Sequence, residues 1–479
     1  MSCSLPGVAR PLHEFTFSVR MLSRLLLATE RRAIIGLASL YASRMLGLFM
    51  VLPVLALYAD ELAGATPLLI GVALGGYGLT QAILQIPFGL LSDRIGRKKV
   101  IAAGLLLFLL GSVVAAQAET ITGIIIGRCL QGSGAVAAAI MALLADQTRE
   151  QVRTAAMATI GLSIGVAFAV AMVLGPWLAS AFGLSSVFWF TAGLAVMGLL
   201  VLWRLVPQAP KRRRHRDVLL DRAQLKATLG RVDLLRLDFS IFALHLVLMA
   251  IFIAVPFRLI EVGISQQQHG LIYLSVMGLA FIGMVPLIIL AEKKQCMKAV
   301  FLGAVAVLAL SVLLLGMLSV SLWLLLLPLL GFFTAFNLLE ATLPSLLSKM
   351  APVGAKGTAM GVYSTSQFLG AFLGGVLGGG LAQQWGYDAV FYGCALVGLA
   401  WLAVVWGMQP PRYLSSEVIE LDDQAHGDAL ETLMERFAEV AGVEDVLVVP
   451  EERLAYLKVD RRRLDSDALA RAAGVKREH

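Results

Sequence analysis

The sequence predicts an all-α membrane protein, with twelve transmembrane helices in two six-helix halves and a small α+β domain behind them. Three observations carry this. The 479 residues are 58% hydrophobic and only 15% charged, with a mean hydropathy of +0.82, far from the mixture of a soluble chain. Apolar runs of about 20 residues, long enough to cross a hydrocarbon layer as helices, recur along most of the chain. A self-comparison shows that the second group of runs repeats the first.

Twelve spans follow in order: 33–58, 67–91, 100–118, 121–144, 155–182, 186–206, 237–261, 268–291, 299–318, 321–347, 358–384 and 388–408. The loops between them alternate in charge. Arg31, Arg32, Arg94 to Lys99, Arg149, Arg153, Lys211 to Arg216, Lys293 to Lys298, Lys349 and Lys356 fall on one side, and the intervening loops hold almost no Lys or Arg. The positive-inside rule places that basic side, and both termini, in the cytoplasm. Arg258, near the other end of span 7, is the exception. The net charge of +7 is thus distributed by side, which argues against a nucleic-acid partner.

The repeat is read without gaps. "LLADQTREQVRTAAM" (Leu143 to Met157) aligns with "LLSKMAPVGAKGTAM" (Leu346 to Met360), and "IPFGLLSDRIGRKKVI" aligns with "VPLIILAEKKQCMKAV", pairing Pro87 with Pro286, Asp93 with Glu292 and Lys99 with Lys298. Six plus six helices in one orientation is a parallel repeat about an axis along the membrane normal. Five blocks follow: an N-terminal segment 1–32, a bundle 33–206, a linker 207–236, a second bundle 237–408 and a module 412–479. Residues 1–20 read as disordered, with Met21 as an alternative start and no cleavable signal peptide. The basic linker, with Leu219, Leu220, Ala223, Leu225 and Ala227, allows a helix lying on anionic lipid.

The tail reads as strand, helix, strand, strand, helix: "SEVIELD", "GDALETLMERFAEVAG" ended by Gly442, "VEDVLVVP", "RLAYLKVD" and "DSDALARAA". That order fits a ferredoxin-like domain whose last strand is missing or very short. The tail has no cysteine, and Cys3, Cys129, Cys296 and Cys394 are scattered, so neither a metal site nor a disulfide framework is expected. Arg461 to Arg463 form either a solvated turn or an anion or partner site.

The charge-dense loop "PFGLLSDRIGRKKVI" joins spans 2 and 3. Gly89 and Gly96 are expected to allow close approach and a turn. Asp93 can receive the positive end of a neighbouring helix, and Arg97 can pair with Asp146 at the end of span 4. Such contacts lock one relative position of the helices; a plain topogenic loop is the alternative.

These residues carry a family resemblance. "GLLSDRIGRKK", including Gly89, Asp93, Arg94, Gly96 and Arg97, resembles motif A of the major facilitator superfamily. "GRCLQGSGAVAAA" resembles its helix 4 motif at Arg128, and "AVAMVLGP" its helix 5 antiporter motif at Gly175 and Pro176, although Ala179 and Ser180 stand where glycines often follow. "SRMLGLFMVLPVLALY" together with the tail is similar to a bacterial inner-membrane branch of that family. The resemblance covers 33–408 and implies alternating access, with a gate built on Asp93 and Arg97 that stabilises the outward-facing state. Protons are then the coupling ion, with no other cofactor.

Polar groups inside the hydrocarbon are functional candidates. Arg44, Arg128, His245 and Glu340 are candidates for proton coupling or transport. Glu340, expected to be desolvated, is either a coupling carboxylate or the partner of a cation; Arg128 is proton-linked or structural; His245 is a packed histidine or a proton site. Gln81, Gln85, Gln131, Asn337 and Gln367 can line a cavity. Phe49, Met50, Met172, Phe252, Phe333 and Phe336 form a substrate wall or simply pack. The sequence holds no phosphate-binding loop and no paired catalytic groups. It is therefore read as a secondary transporter exporting a small molecule against protons, in the lipid bilayer of a bacterial inner membrane. The alternative is a transporter-like sensor whose tail binds a ligand or protein.

Overall fold

A computed structural model describes residues 27–59, 62–208, 229–318, 321–351, 356–409, 415–420, 430–449, 454–459 and 463–472. The first half contains α1 (Ala28–Met50), α2 (Leu52–Tyr58), α3 (Pro67–Ile95), α4 (Arg97–Ala116), α5 (Ile121–Ser133), α6 (Ala137–Gln147), α7 (Glu150–Phe182) and α8 (Leu184–Arg204). The second contains α9 (Val232–Glu261), α10 (His269–Lys293), α11 (Met297–Met317), α12 (Leu322–Met350), α13 (Lys356–Trp385) and α14 (Tyr387–Trp406).

Two of the twelve spans are broken. The first splits into α1 and α2 at Val51, where Pro53 removes a backbone donor in the first turn of α2. The fourth splits into α5 and α6, and Gly134 at the break packs on the backbone of Gly104 in α4. Among the described residues, eleven spans are long and apolar enough to cross a membrane by length and composition alone. The twelfth, α13, carries Gly370, Gly374, Gly375, Gly378, Gly379 and Gly380, which exchange apolar bulk for close backbone packing.

That packing has two sides. Toward its own half, Gly370, Gly374 and Gly378 press on Phe242, Leu246 and Ala250 of α9. Toward the first half, Gly375 and Gly379 meet Gly71 and Pro67 of α3, while Gly75 and Gly78 rest on Phe372 and Phe368. The Leu68 backbone donates to Gln383 Oε1 at 3.2 Å across the same seam. The contacts between the halves run from the end opposite the basic loops to about mid-helix. Toward the basic end they stop: Gly89 meets only Ala138 of its own half, and a Cβ at Gly361 of α13 would meet nothing within 4 Å. The halves are closed at one end and part toward the other.

The tail forms β1 (Ser415–Glu420), α15 (Leu430–Ala438), β2 (Val443–Val449), β3 (Leu454–Val459) and α16 (Ser466–Ala472). The sheet order is β1-β3-β2, with β3 antiparallel to both neighbours. This is the split arrangement of a ferredoxin-like unit with three described strands. Phe437, Val448, Ala455, Leu457, Val459 and Leu469 make its core. The helix beyond α15 cannot continue through Gly442, whose φ is +90°.

Some expectations need correction. α9 opens at Val232, so the linker ends before residue 236. Gly89 makes no close approach, because a Cβ there would sit an ordinary 3.6 Å from Ala138; Gly96 is the position that demands glycine, with φ +103° between α3 and α4. Residues 1–26 with Met21, the linker helix, Arg461 and Arg462 lie outside the described residues.

Candidate transport site

At the basic end, Arg97 is held by two carboxylates. Its Nη1 lies 2.6 Å from Asp93 Oδ1, one turn back across the Gly96 break, and its Nε donates to Asp146 at the end of α6. Nη1 also reaches Ser92 Oγ at 3.4 Å. Arg94 is exposed. The cation identified beside Asp93 is Arg97. The repeat carries a second version: Glu292 and Lys349, which align with Asp93 and Asp146, face each other at 4.0 Å.

A second lock at this end was not legible in the motif. Glu30, only 3% exposed, accepts from Arg149 Nε at 2.9 Å, from Arg149 Nη2 at 3.0 Å, and from the Arg149 and Leu27 backbones at 3.0 and 2.9 Å. It ties the start of α1 to the entry of α7, and its side-chain hydrogen bond with Arg149 raises the Arg149 pKa. Nearby, Lys98 donates to the Val206 carbonyl at 2.5 Å and Gln147 to that of Pro207 at 2.6 Å.

In the middle of the first half, two arginines flank one ring. Tyr77 of α3 has the Arg44 guanidinium 5.8 Å and the Arg128 guanidinium 5.2 Å from its centroid. Arg44 Nη2 donates to Tyr77 Oη at 2.7 Å and Gln81 Oε1 at 2.6 Å, and Gln81 donates on to Gln85 at 3.2 Å. Arg128 donates to Gln131 Oε1 at 2.9 Å and to the Ala73 carbonyl at 3.4 Å; Gln131 donates to Ser112 at 2.9 Å. Gly175 sits against the Met50 carbonyl, bringing α7 onto the break between α1 and α2, while Pro176 lies inside α7.

The second half carries the acidic counterpart. Gln367 of α13 donates through Nε2 to His245 Nε2 at 2.9 Å and to Glu340 Oε1 at 3.3 Å. His245 Nδ1 lies 3.2 Å from the Ile241 carbonyl. The Glu340 side chain is 39% accessible, against 13% for His245, but its Oε2 is buried without a hydrogen-bond partner, 3.8 Å from His245 Nε2. Asn337 is buried with Nδ2 unpartnered. Of the apolar candidates, Met50, Met172, Phe252 and Phe333 are fully buried and pack. Phe49 and Phe336 join through Phe168, with centroids 4.8 and 6.2 Å apart, and Phe336 lies 6.0 Å from the His245 ring. Asp238, buried on α9 with Oδ1 unpartnered, was not singled out, because near a span end it reads as a boundary charge. Among the described residues no cluster could hold a metal.

Profile comparison matches residues 37–375 and 237–423 to the Major Facilitator Superfamily. The chain belongs to that superfamily. It is a multi-pass membrane transporter. Residues 418–465 match the YajR YAM domain. The inner membrane transport protein YajR of Escherichia coli is 48% identical over 90% of this chain and 94% of its own. The uncharacterized transporter BU466 of Buchnera aphidicola is 35% identical over 72% of this chain and 89% of its own. The solved nucleoside transporter NupG has the same superfamily fold, with a TM-score of 0.63 at 16% identity, covering 78% of this chain and 99% of that one.

Proposed function

We propose that the protein exports a small molecule in exchange for protons by alternating access, in a bacterial inner membrane with both termini cytoplasmic. The observation that carries this is the Gln367 amide joining His245 and Glu340 inside the second half, next to the Tyr77–Phe368 contact between halves, where the Glu340 side chain is part-exposed while the end with Leu68 and Gln383 is closed. A carboxylate that faces opposite sides in two states can load a proton on one and release it on the other. With the basic loops cytoplasmic, the described state opens inward. Arg97, Asp93 and Asp146 then form the gate element whose contacts rearrange when the basic end closes. Protons are the coupling ion, no other cofactor is needed and the partners are a small-molecule substrate and lipid. The tail is the place for a further ligand or protein.

The test is reconstitution in liposomes with an internal pH dye, an imposed proton gradient and a compound library. Proton movement evoked by one compound class and absent in Asp93→Asn is the expected result. No compound-evoked movement across a broad library would remove proton coupling from the account.

A further inference from the structure

The first half buries two cations and gives neither an anion. Arg44 is 2% exposed and Arg128 0%. Their identified hydrogen bonds run to a phenol, amides and a carbonyl. No ion pair with a carboxylate is found for either among the described residues. Arg44 Nε, Arg44 Nη1 and Arg128 Nη2 have no hydrogen-bond partner. A guanidinium cannot relieve this by losing its proton, and an uncompensated buried charge is among the costliest arrangements in a protein. Glu340 does not supply the missing charge in this state: it is hydrogen-bonded to Gln367 within the second half and forms no identified ion pair with either arginine.

Local packing gives the cation a setting. Tyr77 and Gln81 fix one nitrogen of Arg44, so the fork is oriented while its other donors remain available. Phe49, five residues along α1, belongs to the same cluster as Tyr77 and opens the ring series through Phe168 to Phe336. An oriented cation beside an aromatic wall fits a ligand with an oxyanion at one end and an apolar body at the other.

We propose that the cargo is an amphipathic organic anion whose carboxylate or sulfonate docks on the unpaired donors of Arg44, with Arg128 as the second positive charge behind Tyr77. This rests on the transport reading above and specifies its substrate class.

The experiment uses the purified full-length protein in detergent and four matched probes: naphthoate, naphthalenesulfonate, naphthamide and naphthylmethylamine. Saturable binding is read by calorimetry, and stabilisation by thermal unfolding. Both anions are expected to bind and stabilise, and the amide and amine to do neither. Arg44→Gln is expected to weaken anion binding about tenfold or more, as befits loss of a charge-assisted hydrogen bond. If that variant does not purify as a monodisperse protein, Arg44→Lys carries the test: a point charge replaces the fork and anion affinity falls severalfold. Equal binding of all four probes, no binding of either anion, or anion affinity unchanged in the variant would overturn the proposal. Arg44-dependent anion binding without compound-evoked proton movement would keep this site and remove proton coupling. Proton movement evoked only by cations would keep the coupling and remove this site.

Discussion

The closed end of the seam makes a sharp demand on Gly71. A Cβ built there would drive into the Gly375 backbone and come within 3.1 Å of Gly379 Cα. These are backbone atoms on a helix, and no rotamer change moves them aside. Gly71→Ala therefore forces α3 and α13 apart, and overpacking of this kind costs about 1–3 kcal/mol. The extra helix propensity of alanine favours both conformations equally and cancels in their comparison. The closed state then loses about 5- to 150-fold in population against one open at that end. Double electron–electron resonance between spin labels at Glu119→Cys and Gln384→Cys, both exposed at the end with Leu68 and Gln383, reads the separation directly. The background replaces Cys3, Cys129, Cys296 and Cys394 with alanine. Gly71→Ala should broaden and lengthen the distribution, whereas Gly161→Ala, where a Cβ meets nothing within 4 Å, should leave it unchanged. An unshifted distribution in Gly71→Ala would refute the assignment of this seam as a closed gate.

Further outcomes follow from the same geometry. Asp146→Asn removes one of two partly exposed partners of Arg97, so stability should fall by only about 0.2–1 kcal/mol while flux falls more than about tenfold; retained flux in the vesicle assay contradicts the gate reading. Glu340→Gln should flatten the pH dependence of flux, and an unchanged profile assigns Glu340 to structure. Glu30→Ala removes the acceptor of four bonds at the α1–α7 junction and should lower the thermal midpoint by several degrees, read by unfolding in detergent. Residues 412–479 should give a folded circular dichroism spectrum alone, since their apolar positions make a core of their own.

The parts of this architecture legible in the sequence are those written as periodicity or composition. Twelve spans, the parallel repeat and the order of elements in the tail follow from hydropathy, an ungapped alignment and turn residues such as Gly442. The Arg97–Asp146 pairing was accessible because both residues end helices on the same side. What the sequence concealed depends on which faces meet. The role of Gly71, Gly75 and Gly78 appears only once Phe368, Phe372 and Gly375 are seen opposite them, because isolated glycines in a membrane helix are common. Tyr77 looked like any helix tyrosine, and two arginines 84 residues apart on different helices converge on it. Glu30 lay outside the apolar run and carried no motif, yet it accepts more identified hydrogen bonds than Asp146. The meeting of His245, Gln367 and Glu340 depends on which helix faces pack together, which hydropathy cannot report.

The central claim is that cargo and proton compete through the seam between the halves. The direct measurement is proton release when a compound active in the flux assay binds the detergent-purified protein in weakly buffered solution. The account predicts about one proton released per bound compound, abolished in Glu340→Gln while binding persists. Equal release from both proteins, or none from the wild type, would contradict it.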